Sequence, residues 1–176
     1  PAAAGGAGAG VGPAEPPPAP TGTPTAGGLT WEASAPLVRE APSSPMRKAQ
    51  YAIRPDDPAA SAAQLTVFYF GPGQGGSIQD NLDRWVQQVD PPGDTPPEEA
   101  AEVTQEEVRG MPVSLVTSVG TFAGLDGVPH DDWRLLGAII EGPQGPVFFK
   151  LTGPKPLVDQ GEPAFRALVQ SIRPAG

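Results

Sequence analysis

Few side chains in this sequence can do acid–base, metal or nucleophilic chemistry, and those few are poorly spaced for it. The single histidine, His130, precedes Asp131 and Asp132, and a second aspartate pair is Asp56-Asp57. A zinc or calcium centre needs several such donors converging from ordered elements. Both groups sit in turn-like sequence, where Asp commonly bonds to its own backbone, so no metal is expected. Serines are present, among them Ser43 and Ser44 between two prolines, but there is no G-x-S-x-G elbow and His130 stands alone as a base. The carboxylate pairs Glu98-Glu99 and Glu106-Glu107 lie in polar sequence, a poor setting for raising a pKa. The expectation is a protein that is not an enzyme and carries no cofactor.

One motif points the other way. Gly71, Gly73 and Gly76 match G-x-G-x-x-G between a strand-like and a helix-like run, the form of a dinucleotide-binding loop. Such a loop works through backbone N–H groups inside a parallel βαβ unit. Pro72 removes one donor, and the following helix runs into DPPGD instead of a second strand ending in an acidic residue. A glycine-rich turn into a capped helix is the expected structure.

The elements that would position these residues are legible from periodicity. LTWEA (29–33) and MRKAQYAI (46–53) alternate as strands, with Pro36, Pro42 and Pro45 keeping the chain between them irregular. QLTVFYF (64–70) puts Leu65, Val67 and Tyr69 on one face and Thr66, Phe68 and Phe70 on the other, so both faces are expected to be covered. Ser77 with Asp80 has the form of a capping box, and Ile78, Leu82, Trp85, Val86 and Val89 make one apolar helical stripe that ends at DPPGD. Thr95 and Pro96 could cap and open one helical turn, after which two strands meet at Arg109-Gly110, where glycine can take a positive φ. The runs 133–141 and 147–152 pair across GPQG, and Pro163 is expected to open a last helix with Phe165, Leu168, Val169 and Ile172 on one face. Trp31, Trp85 and Trp133 all fall at apolar positions of these elements, so each is expected in the core, and an exposed one would mark an interface. The class is α+β, a mainly antiparallel sheet with two amphipathic helices packed on it.

Composition divides the chain. Residues 1–28 are rich in Pro, Ala and Gly and hold one large apolar side chain, Val11, so they cannot offset the entropy of ordering and read as a flexible arm or tether. Residues 29–176 carry nearly all the Leu, Ile, Val, Phe and Trp and form the domain. A net charge of −9 argues against nucleic acid and against anionic lipid as partners. Much of that excess is Asp90, Asp94, Glu98, Glu99, Glu102, Glu106 and Glu107, read either as a solvated face or as a docking surface for a basic partner. The absence of cysteine removes disulfides and thiol chemistry, and no apolar run approaches the ~20 residues of a membrane span. The start in a Pro/Ala/Gly tether without Met fits an exported, N-terminally processed protein of the periplasm or envelope, whose anchor, if a lipidated residue, would precede Pro1.

From residue 29 onward the order of elements resembles the PsbP and Mog-type α/β/α sandwich family. The resemblance rests on LTWEA, MRKAQY, LTVFYF before a helix, RGMPVSLVTSVGTF and WRLLGAIIEGPQGPVFFKLTGPKPLVDQGEPAFRALVQSI. It implies an accessory or binding domain without a catalytic motif, and its plant branch implies an extrinsic subunit of a photosynthetic membrane complex. The expectation is a non-catalytic extrinsic subunit of a membrane-associated protein complex, with partner contacts through the arm (Pro13, Pro16, Pro17, Pro18, Pro20) and through Glu98 and Glu99. The alternative is a free-standing envelope lipoprotein that binds a small ligand.

Overall fold

The computed structural model describes residues 17–124 and 126–176; Pro13 and Pro16 lie outside them. Before the first helix come β1 (Thr25–Ala26), β2 (Leu29–Thr30), β3 (Val38–Glu40), β4 (Arg47–Ile53) and β5 (Ala63–Phe68). Helix α1 (Ile78–Gln87) leads through β6 (Val89–Asp90) and the single turn α2 (Pro97–Ala100) to β7 (Glu102–Val108) and β8 (Met111–Ala123). The long hairpin β9 (Pro129–Gly142) and β10 (Gly145–Pro154), helix α3 (Lys155–Ser171) and β11 (Arg173–Pro174) complete the chain. The main sheet runs β3-β4-β5-β10-β9-β8, with β6 and β7 both on the outer edge of β8, and every pairing in it is antiparallel. Beside it β1, β2 and β11 form a small antiparallel sheet of their own. This is the α+β architecture that the periodicity implies.

Side chains alternate across a strand, so each strand of a doubly covered sheet feeds two cores. On β10, Val147, Phe149 and Leu151 join one core and Phe148 joins the other. The larger core lies under α3, which contributes Val158, Phe165, Leu168 and Val169 against Leu65, Val67, Leu136, Ile140 and Phe149. The smaller lies under α1, where Leu82, Trp85 and Val86 meet Val116, Leu135, Ile139 and Phe148. Two helices on opposite faces of one sheet make three layers. Arg134 ties α3 to the sheet: its Nε donates to Thr117 Oγ1 at 2.9 Å, and its Nη1 meets Asp159 at 2.9 Å and also Glu162. Hydrogen bonds from Lys155 to Asp159 and from Arg134 to Glu162 hold both carboxyls below their usual range. That part of the tie is therefore present above the ordinary carboxylate pKa and is lost as pH falls through the lowered values.

Helix α1 starts as the sequence implies, with the Ser77 side chain accepting from the Asp80 N–H at 3.0 Å. Removing that acceptor in Ser77→Ala should cost about 1 kcal/mol in urea unfolding, and an unchanged midpoint would show that water caps the helix equally well. The helix stops at Gln87, so Val89 is fully buried from β6, not from the helical stripe. At Arg109 and Gly110 both φ angles are positive, 52° and 82°, as a two-residue β-hairpin turn requires.

Several expectations are corrected. Pro163 does not open the last helix; it lies inside α3, which begins eight residues earlier with Lys155 and Pro156. Proline is favoured in a first turn, and Pro156 takes that place, while Pro163 sits on the exposed side, where the carbonyl it leaves without a donor can reach water. The single turn α2 begins at Pro97 with Pro96 before it, and Thr95 provides no side-chain cap. Chain expected to be irregular between Pro36 and Pro42 contains β3, since an edge strand loses nothing by having proline beside it. Only Leu29 and Thr30 of the expected strand 29–33 pair, and they pair outside the main sheet. The folded unit also takes in Thr25–Gly28, which composition placed in the arm: Ala26 is buried, and Gly27 lies so close to Tyr69 and Val147 that a Cβ there would meet them at 2.8 Å.

Candidate functional site

A single row of paired residues crosses the α1 face of the sheet from the β3 edge to β8. It reads Glu40 (β3), Gln50 (β4), Thr66 (β5), Lys150 (β10), Gly137 (β9) and Val116 (β8). One half is polar and the other is small or apolar. Helix α1 covers only the second half, because Trp85 fits into the gap that Gly137 leaves: a Cβ at Gly137 would stand 2.5 Å from the Trp85 ring. Over the polar half lies an open cleft of about 550 Å³. The face of β5 that carries Thr66 and Phe68 is therefore covered at its α1 end only, and Phe70 beyond it is exposed.

Lys150 and Arg47 both line the cleft, and among the described residues no carboxylate is bonded to either. The Lys150 ammonium donates to Gln88 Oε1 at the end of α1 and lies 5.8 Å from the Trp85 ring centre and 5.6 Å from that of Phe122. Ring faces attract a cation at that range, though more weakly than a carboxylate would. Burial, then the positive charges of Arg47 and Arg84, push its pKa down from 10.5 to about 8. Arg47 Nη1 donates to Gln50 Oε1 at 2.7 Å, to Ser43 Oγ at 2.8 Å and to Gln64 Oε1 at 2.9 Å. All its partners among the described residues are neutral. The charged groups around them are Arg84, Arg54, paired with Glu40 at 2.9 Å, and Asp126.

Beside these cations the cleft is lined by a stack of aromatic rings. Trp133 stacks on His130 with centroids 4.1 Å apart and on Phe122 at 5.5 Å, both within 15° of parallel. Phe68 closes the near side. A site with two converging cationic heads, amide and hydroxyl groups at its floor and an aromatic wall can hold a small molecule with one polar and one apolar end.

The residues marked in the sequence are scattered. Pro17 and Pro18 are exposed and Pro20 is partly so. Glu98 and Glu99 are exposed on α2, with Glu98 accepting from Gln87 Nε2 at 3.4 Å. Asp57 accepts from the Ala59 N–H and Asp131 from the Thr121 hydroxyl, both at 2.9 Å, as turn and cross-strand contacts. Glu106 accepts from Gln170. Among the described residues no group of three or more His, Asp or Glu could hold a metal ion. The glycine loop leads into α1 with Gly71, Gly73, Gly75 and Gly76 all at positive φ, and Asn81 Nδ2 ties it down by bonds to the carbonyls of Gly75 at 2.7 Å and Ser77 at 2.8 Å. With an antiparallel neighbour on each side of β5 it has no βαβ unit to serve. Of the tryptophans, Trp31 and Trp85 are core residues, whereas Trp133 is only partly buried and faces the cleft. Sequence reasoning missed Lys150, Arg47, Gln50, Gln64 and Thr66. The available signal was a polar side chain at alternate positions of three strands, but which strands lie side by side is not written in any of them.

No family model matches the chain, and no curated protein matches it. Among solved structures it is similar to PA94 of Pseudomonas aeruginosa, a protein of unknown function suggested to be a regulator, at 14% identity and TM-score 0.46, over 82% of this chain and 85% of that one. It is similar also to a Bacteroides thetaiotaomicron VPI-5482 protein at 9% identity and TM-score 0.44, where 87% of this chain spans 47% of the other. Neither bears on the resemblance to the PsbP and Mog-type sandwich.

Proposed function

We propose that this chain is a non-catalytic binding domain that takes one small molecule in the cleft between α1 and the β4-β5-β10 face. The observation that carries the reading is a sheet face left open by its covering helix where polar and aromatic side chains converge. A sheet face that only had to be buried would be mostly apolar, as the α3 face is apart from the Arg134–Thr117 tie at its margin. Here Gln50 and Thr66 are nearly inaccessible yet polar, and Gln50 is bonded to Arg47 and Ser43, which holds the Arg47 head in place at the cleft. The cleft volume lies within the range of small-molecule sites.

The test uses N-phenyl-1-naphthylamine, a neutral fluorophore that brightens in a dry pocket. Saturable one-site binding is expected, reduced at least tenfold by Thr152→Trp, which fills the cleft from its floor. Ala62→Trp does the same from the rim and serves if the first variant melts early. Fluorophore binding unaffected by both substitutions in folded protein would overturn the reading.

A further inference from the structure

The geometry points to Arg47 and Lys150 as the two halves of an anion subsite, and to a small carboxylic acid with a flat apolar body as the ligand class. This rests on the cleft being a ligand site, as proposed above. Three observations define the class. Arg47 spends Nη1 on three neutral acceptors, and among the described residues its Nε and Nη2 have no partner, which leaves one edge of the guanidinium fork free. A carboxylate fits such an edge with two parallel bonds. Lys150 offers three donors and uses one, on Gln88.

Charge sets the sign. The ionic side chains lining the cleft are Arg47, Arg54, Lys150, Glu40 and Asp126. With Arg54 and Glu40 paired, the lining cations Arg47 and Lys150 outnumber Asp126, and Arg84 adds positive charge near Lys150, in a protein whose net charge is −9. An anion offsets that local excess. The aromatic stack supplies the last constraint, since Phe122, Trp133 and His130 line the cleft nearly parallel to one another, with Phe122 5.6 Å from the Lys150 ammonium. A planar ring adds to such a stack, and a carboxylate attached directly to it stays within the same cleft as the two cations.

Neutralising the site must also change Lys150. Burial disfavours its proton and the charges of Arg47 and Arg84 add to the effect, while Glu40, Arg54, Asp126 and His130 are the other ionisable groups around the cleft. A bound carboxylate would restore the proton's stability. Affinity should therefore be level near pH 7 and fall as pH rises past about 8, approaching tenfold per pH unit where the free Lys150 is neutral.

The experiment is calorimetric titration of the full chain with benzoate, benzamide and inorganic phosphate at pH 7 and pH 9. Benzoate is expected to bind at least tenfold more tightly than benzamide, which has its shape without its charge, and than phosphate, which has charge without a ring. Lys150→Met and Arg47→Met should each lower benzoate affinity at least tenfold, and Lys150→Met should remove the pH dependence. Equal binding of benzoate and benzamide, or benzoate affinity unchanged in both variants, would sink the anion subsite. Phosphate binding as tightly as benzoate would sink the aromatic part of the ligand class. The cleft reading fails separately: N-phenyl-1-naphthylamine then ignores Thr152→Trp and Ala62→Trp, whereas a failed subsite leaves that fluorophore bound.

Discussion

Phe149→Ala should lower unfolding stability by about 3–5 kcal/mol, the range for removing a fully buried aromatic side chain. Phe149 has no exposed surface, sits on β10 between β5 and β9, and meets the Trp31 ring edge-on at 5.0 Å and 85°. Neither neighbouring strand can close the gap, because each is held to β10 along its length. Domains of this size are typically stable by only about 5–15 kcal/mol, so the variant should stand near the edge of unfolding at moderate temperature. The measurement is guanidinium unfolding followed by tryptophan fluorescence, which Trp31 makes sensitive to this site. A midpoint shift with unchanged slope is expected, and a loss below about 1 kcal/mol would mean that Trp31 swings into the space. Met46→Ala is the control: that side chain is 55% exposed, and its truncation should cost little.

At the next residue the sign reverses. Lys150→Met is expected to stabilise the protein at pH 7 and to lose its advantage by about pH 10. A lysine whose pKa falls from 10.5 unfolded to about 8 folded is disfavoured as a cation by folding, which corresponds to about 3 kcal/mol as an upper bound. Below pH 8 the group is charged in both states and the whole penalty is present. Between about 8 and 10.5 the folded form has lost its proton while the unfolded form keeps it, so stability rises with pH across that window. Burial raises the Tyr51 phenol above its usual 10.0, so that group resists ionisation in the folded state and begins to oppose stability above pH 10. The wild type should therefore gain stability from pH 8 to 10 while Lys150→Met stays flat, in urea unfolding at fixed ionic strength. A wild-type profile that is flat over the same interval would show that solvent reaches the ammonium and that it is not held in a dry setting. Such a site is destabilised while empty, which is a common cost of binding sites.

Local elements were legible because their causes are local. Ser77 with Asp80 marks a helix start through one side-chain bond, and Arg109-Gly110 marks a hairpin through backbone sterics, and both stand where the sequence puts them. Pro163 misled for the same reason: proline has a local preference for helix starts, but burial of Val158 and Gly161 extends α3 ahead of it, and Pro156 takes the starting position instead. The pairing of Thr25–Ala26 through β2 with the far C-terminal β11 could not be read from a Pro/Gly-rich stretch with no apolar pattern. In the candidate site, Trp133 was recognised as a residue whose exposure would matter. Its cationic partners were not.

What the sequence determined by itself was the class of the fold, through the two-residue and 3.6-residue periods that set which side of each element is apolar. It also determined what chemistry the chain lacks residues for, as with thiol chemistry in the absence of cysteine. The tertiary structure alone decided that Glu40, Gln50, Thr66 and Lys150 stand in one row, that Gly137 lets Trp85 draw α1 to one side, and that a cleft is left over the rest. The physical reason is that strand order and register depend on how two cores fill at once, a property of residues more than a hundred positions apart, whereas periodicity records only which face of its own element each residue occupies.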